Sequence, residues 1–339
     1  MAKYKISLIS RRESDNKLIE EQLAGLDYEM DVHVCASEGE AIEAVKGADV
    51  IISQGVPMPR TIIQEIDTAQ AIVNGGHGFD SVDHHAATDN GIMVVNTAGF
   101  CSEEVSDHAI MMLLASAKRL VQLNNAVKNG AWQRRPQNCG YPLAHVVYGQ
   151  TLGQIGLGNI GRATARKAKA FGLEVISYDP YVQPWIAKEY GVKLMSSLED
   201  LATRSDFVSL IVPSNEETEK LVGESFFKAM KRTAYFINTS RGPTVDEQAL
   251  IRALQSDEIA GAAIDVFEQE PTPIDNPLLK MDNVIVTPHT AGVSDVAGAR
   301  MKVQIGQEAA RILRGTLPMS LANPAVRHKM PARPAAINL

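Results

Sequence analysis

Short apolar runs alternate with amphipathic stretches almost from the first residue of the chain. KYKISLIS, MDVHVC, ADVIIS, QAIVN and GIMVVN read as strands, mostly too apolar to be half-exposed. NKLIEEQLAGL and EGEAIEAVKGA, lying between them, have the spacing of amphipathic helices. Strands separated by helices pair in parallel through right-handed crossovers. Residues 1–95 therefore predict one doubly wound α/β unit.

The pattern then changes. SEEVSDHAIMMLLASAKRLVQLNNAVKNG, residues 102–130, predicts a single long helix with Ser102 as its N-cap and Gly130 just past its end. A polar stretch, AWQRRPQNCGYPLAHVVYGQ, precedes a second series of strands from Thr151. These are TLGQIG, LEVISYD, SDFVSLIVP, TAYFIN, IAGAAIDVF and NVIVTPH. After His289 the helical pattern returns in VAGARMKVQIGQEAARILRG, and a Pro-containing tail is expected to be poorly structured. The fold class is thus α/β, with two doubly wound parallel-sheet units and no internal repeat.

Composition changes this picture little. The 339 residues suffice for two cores, and 45% hydrophobic with 22% charged residues is an ordinary globular mixture. Net charge is −7 and no basic stripe is present, so nucleic acid is not an expected partner. The three cysteines, Cys35, Cys101 and Cys139, lie far apart and fit neither a disulfide framework nor a metal spacing. Asp80, Asp83, His84 and His85 lack ligand spacing and apolar enclosure, so a solvated helix start accounts for them and no metal is expected. The N-terminal segment lacks the apolar run of a signal peptide, and no later stretch is long enough to span a bilayer. A cytoplasmic protein is the expectation.

Gly156-Leu157-Gly158-Asn159-Ile160-Gly161 satisfies GxGxxG, with a strand before it and the helix pattern RATARKAKAF after it. The glycines permit a sharp turn, close approach of backbone to a pyrophosphate, and tight helix–strand packing. The helix N-terminus offers unpaired N–H groups to the phosphates. A second strand ends on Asp179, eighteen residues past Gly161, placed to accept from the adenosine ribose hydroxyls. A 2′-phosphate would meet that carboxylate, and Pro180-Tyr181 supply no cation, which favours NAD over NADP.

Three polar islands follow buried strands of the second series, at the ends where open α/β sheets bind ligands. They are Thr239-Ser240-Arg241-Gly242, Glu268-Gln269-Glu270-Pro271 and His289-Thr290-Ala291-Gly292. Singly, each side chain has an ordinary structural reading as a turn residue, a loop carboxylate or a core histidine. Jointly they fit reduction of a 2-oxo acid. A guanidinium binds carboxylate and carbonyl oxygens in a fork geometry. An imidazole gives a proton to the carbonyl oxygen and takes it back in reverse. An adjacent carboxylate holds one imidazole nitrogen and favours the protonated ring.

GQTLGQIGLGNIGRATA, FINTSRGPTVDEQAL, GAAIDVFEQEP and NVIVTPHTAG, with weaker echoes in GGHGFDSVD and NTAGFCSEEVSDHA, resemble the D-isomer-specific 2-hydroxyacid dehydrogenase family. The resemblance implies Arg241 for substrate binding, Glu270 as the partner of the histidine, and His289 as acid/base. It implies coenzyme contacts from Gly156, Gly158 to Gly161, Asp179, Val212, Pro213, Thr218, Thr239, Ser240, Asp265 and Gly292, with Asp265 approaching the nicotinamide carboxamide. It also explains why the fingerprint begins in mid-chain. A Rossmann NAD-binding domain, residues 101–293, is inserted into a flavodoxin-like substrate domain built from residues 1–100 and 294–339. Gly99 and Ala291-Gly292 fall where hinges are expected.

The family's substrate carboxylate is received by amides at the positions of Asn74, His77 and Gly78. A small apolar residue or Thr is more usual at position 77, so His77 either points to solvent or lines the pocket and selects a polar or acidic substrate. Trp132 to Arg135 match a region from which some relatives project an aromatic residue into a neighbouring subunit's cleft; Arg134 and Arg135 either recognise a second anionic group or form a solvated surface. The resemblance implies a homodimer through the nucleotide domain, an NAD cofactor and a small 2-hydroxy or 2-oxo acid partner. Two other activities share the scaffold: formate or phosphite oxidation, and NAD(H) sensing by a co-repressor-like binding protein.

Overall fold

Uninterrupted apolar runs such as Val50–Ile52 and Ala71–Val73 are buried on both faces, which forces their strands into the interior of a parallel sheet. The computed structural model describes residues 4–134 and 144–329. Arg135, Cys139 and the tail from residue 330 lie outside the described residues. The chain divides into two units: residues up to Cys101 together with those from Ser294, and Ser102–Val293.

The first unit contains β1 (Tyr4–Ser10), β2 (Tyr28–Val34), β3 (Val50–Gln54), β4 (Ala71–Asn74) and β5 (Met93–Asn96). All are parallel, in the order β2-β1-β3-β4-β5, the flavodoxin-like arrangement. β2 differs from expectation in being half-exposed. It is the edge strand, and Val32 and Val34 face outward. The late helix Ala297–Leu313 returns to this unit and buries Ile305, Ala309 and Ile312 in the same core as Ile6, Leu8 and Ile19. Its Gly306 allows that approach, since a Cβ there would stand 2.6 Å from the Ile19 carbonyl oxygen. Asn323 then ties the chain to β5: its Oδ1 accepts from Val94 N at 2.8 Å and its Nδ2 donates to Ile92 O at 3.0 Å.

The second unit contains β6 (Thr151–Ile155), β7 (Glu174–Tyr178), β8 (Lys193–Leu194), β9 (Phe207–Leu210), β10 (Tyr235–Asn238), β11 (Gly261–Ile264) and β12 (Val284–Val286). They form one parallel sheet, ordered β12-β11-β10-β9-β6-β7-β8. The chain leaves β6 towards β7 and returns beyond it to β9, so a topological switch point lies at the carboxyl end of β6.

The segment expected as one helix is two, Ser102–Ala117 and Leu120–Lys128, broken where Arg119 adopts a left-handed backbone of φ 51°. No glycine or proline marks the break. Ser102 is the first helical residue rather than a cap, and its hydroxyl is buried without a side-chain partner. Among the described residues, no helix is long and apolar enough to cross a membrane, and no group of His, Cys, Asp and Glu is arranged to hold a metal ion.

Candidate active site

Three consecutive strands, β10, β11 and β12, deliver the three polar islands to one edge of the sheet. The contact between the first two is backbone to backbone. A Cβ on Gly242 would lie 1.7 Å from the Phe267 carbonyl oxygen, so only glycine lets the Arg241 turn press against the Glu270 loop. Asn238 shapes that turn, accepting from Ser240 N at 2.9 Å and donating to Arg241 O at 3.2 Å. Arg241 is partly buried, and its Nη1 donates to Ser240 O at 2.8 Å.

Glu270 and His289 meet directly. Glu270 Oε2 stands 2.7 Å from His289 Nδ1, while its Oε1 accepts from Phe267 N at 3.0 Å. With Nδ1 committed to the carboxylate, Nε2 is the imidazole nitrogen left for a ligand. The ring remains accessible at 45% of its side-chain surface. A cavity of about 580 Å³ opens beside the pair, with Phe267, Pro271, Leu279, Val286 and Pro288 among its walls. Such apolar walls lower the local dielectric and strengthen the polar contacts they enclose.

His289 has a left-handed backbone, φ 53°, which costs a non-glycine residue about 1–3 kcal/mol. Asp265, fully buried at the end of β11, holds it there. The Asp265 carbonyl accepts from His289 N at 2.8 Å, and its carboxylate accepts from Thr290 N and Ala291 N at 2.9 Å each. Thr287 Oγ1 donates to the same carboxylate at 2.5 Å. Asp265 thus positions the histidine loop, a task the sequence did not suggest. His108, on the helix Ser102–Ala117, adds a further support, with Nε2 3.0 Å from Thr287 Oγ1 and 3.6 Å from Asp265 Oδ1. Gly292 sits in the next turn, which Val293 N closes on Thr290 O at 2.9 Å.

The glycine-rich turn follows β6 at the switch point. Gly156 has φ 98° and would place a Cβ 2.3 Å from the Ile211 carbonyl; Gly161 would place one 2.5 Å from the Gly156 carbonyl. Both glycines are required by close packing. Gly158 differs, because a Cβ there would meet nothing within 4 Å. It opens the helix Asn159–Ala170, whose first amides, including those of Asn159 and Ile160, have no partner within the helix. Asp179 follows β7 and is held from both sides: its Oδ2 accepts from Leu157 N at 2.8 Å, its Oδ1 from Tyr181 N at 2.9 Å. Ser240 Oγ donates to Val212 O at 2.5 Å, joining the loops after β9 and β10. Thr218 Oγ1 donates to Pro213 O at 2.7 Å and closes the turn after β9. Thr239 Oγ1 is buried with no side-chain partner among the described residues. An open glycine, unpaired helix amides and an orphan hydroxyl are what a dinucleotide would fill and satisfy.

In the first unit, Asn74, His77 and Gly78 form one tight loop after β4. Asn74 Nδ2 donates to Gly78 O at 2.8 Å, and Asn96 Nδ2 donates to His77 O at 2.6 Å. Gly99 N donates to His77 Nδ1 at 3.3 Å, so the ring is engaged by its own unit rather than simply solvated. Trp132 is exposed in the short 3₁₀ turn Ala131–Arg134.

Residues 110–291 match the family described as D-isomer specific 2-hydroxyacid dehydrogenase, NAD binding domain. The chain is 40% identical over 289 residues to a glyoxylate reductase of Korarchaeum cryptofilum, covering 84% of this chain and 86% of that protein. It is 37% identical over 296 residues to a D-3-phosphoglycerate dehydrogenase of Methanocaldococcus jannaschii, where 87% of this chain spans about half, 55%, of the relative. Its fold superposes with a TM-score of 0.82 on an NADPH-dependent glyoxylate/hydroxypyruvate reductase of Sinorhizobium meliloti, solved with NADP and malonate. That pair is 29% identical, with 99% of this chain and 100% of the other covered. By sequence and by fold, then, the chain belongs to the D-isomer-specific 2-hydroxyacid dehydrogenase family, whose members are NAD(P)-dependent oxidoreductases.

Proposed function

We propose that the protein is an NAD-dependent oxidoreductase that interconverts a small D-2-hydroxy acid and its 2-oxo acid. The observation that carries this reading is the 2.7 Å contact between His289 Nδ1 and Glu270, on a strained backbone beside the Arg241 turn. The bound coenzyme supplies or accepts the hydride. His289 Nε2–H gives a proton to the substrate oxygen in reduction and recovers it in oxidation. Glu270 fixes the ring and balances the imidazolium. Arg241 holds carboxylate and carbonyl oxygens and draws electron density from the carbonyl carbon. The amides of the Asn74–Gly78 loop are assigned to the substrate carboxylate.

Gly156, Gly158, Asn159, Ile160 and Gly161 would hold the pyrophosphate, and Asp179 the adenosine ribose. Val212, Pro213, Thr218, Thr239, Ser240, Asp265 and Gly292 would line the remainder of the coenzyme. NAD is proposed over NADP because Asp179 presents a carboxylate where a 2′-phosphate would lie. Leu120, Leu123 and Val127 form an exposed apolar stripe at helical spacing, and Trp132 follows it; this is the surface proposed for a homodimer.

Oxidation of NADH and NADPH with glyoxylate, hydroxypyruvate, pyruvate and phosphohydroxypyruvate tests the reading. Turnover with NADH on at least one of the first three is expected, glyoxylate first in view of the 40% identical relative. Tight NADH binding with no turnover on any of them would instead favour an NAD(H)-sensing protein.

Glu270→Gln gives a sharper test. Glu270 accepts two N–H bonds through its two oxygens, and glutamine has one oxygen to offer. One donor is left facing an amide NH₂, and the imidazolium loses its anionic neighbour. Turnover should fall by about 10-fold to 100-fold, on the scale of a lost charged hydrogen bond. A variant that turns over at the wild-type rate would exclude the role assigned to Glu270.

A further inference from the structure

The loops after β7 and β9 flank the carboxyl end of β6, since these strands are ordered β9-β6-β7. One side-chain hydrogen bond joins them: the Tyr181 hydroxyl donates to the Glu217 carboxylate. Each partner is also fixed within its own loop. Tyr181 N donates to Asp179 Oδ1 at 2.9 Å, and Glu217 N donates to Asn215 Oδ1 at 3.0 Å. The Asn215 turn is closed in turn by the Thr218 hydroxyl. The bond to Glu217, then desolvation and the charges of Glu217 and Asp179, hold the phenol above its ordinary range, so it remains a donor. A second carboxylate is thereby held at the same strand ends as Asp179. Two cations on adjoining segments already have partners. Arg162 donates to Asn159 Oδ1 at 2.6 Å and lies over the Tyr190 ring, and Lys220 stands 3.9 Å from Glu268.

We propose that Glu217, held in place by Tyr181, is a coenzyme-specificity residue whose carboxylate acts with that of Asp179 to reject a 2′-phosphate on the adenosine ribose. The assignment rests on the reading that the coenzyme binds at the carboxyl end of β6 with its adenosine at Asp179. Two carboxylates repel a phosphate dianion more than one does, and the exposure of Glu217 keeps the effect moderate through solvent and salt. An adenosine ribose with a free 2′-hydroxyl meets no such penalty, and its hydroxyls gain acceptors.

The test is direct binding, followed by the fluorescence of NADH and of NADPH on the full chain, for wild type, Glu217→Gln, Tyr181→Phe and Asp179→Asn, with thermal melting as a check on folding. Glu217→Gln should tighten NADPH binding on the order of tenfold and leave NADH binding nearly unchanged. Tyr181→Phe, which frees the carboxylate to turn outward, should move the same ratio in the same direction by less. Asp179→Asn reports on the underlying reading: if it alters neither affinity, the coenzyme is not seated here and both assignments fall. If Asp179→Asn does respond, an unchanged NADH-to-NADPH ratio in Glu217→Gln overturns the Glu217 assignment alone. A parallel weakening of both coenzymes also overturns it, since it would mark Glu217 as a loop support.

Discussion

His289→Gln is expected to reduce turnover of the 2-oxo acid by about 10²-fold to 10⁴-fold, the range for removal of a general acid, while NADH binding is retained. The separation follows from where the residue sits. Its ring reaches Glu270, whereas the glycine-rich turn, Asp179 and Thr239 belong to other strand ends. Glutamine is close in length and keeps a polar end, but it has no titrating nitrogen to give a proton to a developing alkoxide. The His289 backbone anchor survives, because the bond to the Asp265 carbonyl uses the main-chain N–H. Asp265 still receives Thr290 N and Ala291 N, so the loop stays in place. Single-turnover kinetics with prebound NADH would read the chemical step apart from binding. Wild-type rates in that experiment would remove the histidine from the reaction.

The extent to which this site was legible beforehand differs from residue to residue for physical reasons. Buried parallel strands announce themselves through continuous apolar runs, and the polar islands stood out because each interrupts such a run. Gly156 and Gly161 were legible because a Cβ is excluded at both. β8 was not, since two residues are too few for a period. The break at Arg119 and the backbone of His289 share another cause: a left-handed residue that is not glycine is imposed by surrounding contacts and leaves no mark in composition. His108 reaching Thr287, 179 residues away, is likewise a product of the fold alone. The same holds for Tyr181 and Glu217, each unremarkable in its own loop.

Gly242→Ala should damage the protein without removing any charged group. The added Cβ would stand 1.7 Å from the Phe267 carbonyl oxygen, 1.9 Å from its carbon and 2.4 Å from Glu268 N. All three are backbone atoms, so no rotamer change relieves the overlap; the turn after β10 and the loop after β11 must separate. Overpacking of this kind costs about 1–3 kcal/mol. Each kcal/mol lowers Tm by about 2–4 °C in a unit of this size. The separation also displaces Arg241 relative to Glu270 and His289, and a misplacement of about 1 Å in a positioned group costs about 10²-fold in rate. Lower Tm and lower kcat should therefore appear together. Gly158→Ala provides the contrast. Its Cβ meets nothing within 4 Å, so Tm should hold while NADH binding weakens, because the space it enters is the space assigned to the pyrophosphate. Equal melting and equal turnover in Gly242→Ala would mean that the two loops do not touch as described. The shared geometry of guanidinium, carboxylate and imidazole would then have to be abandoned along with the contact that sets it.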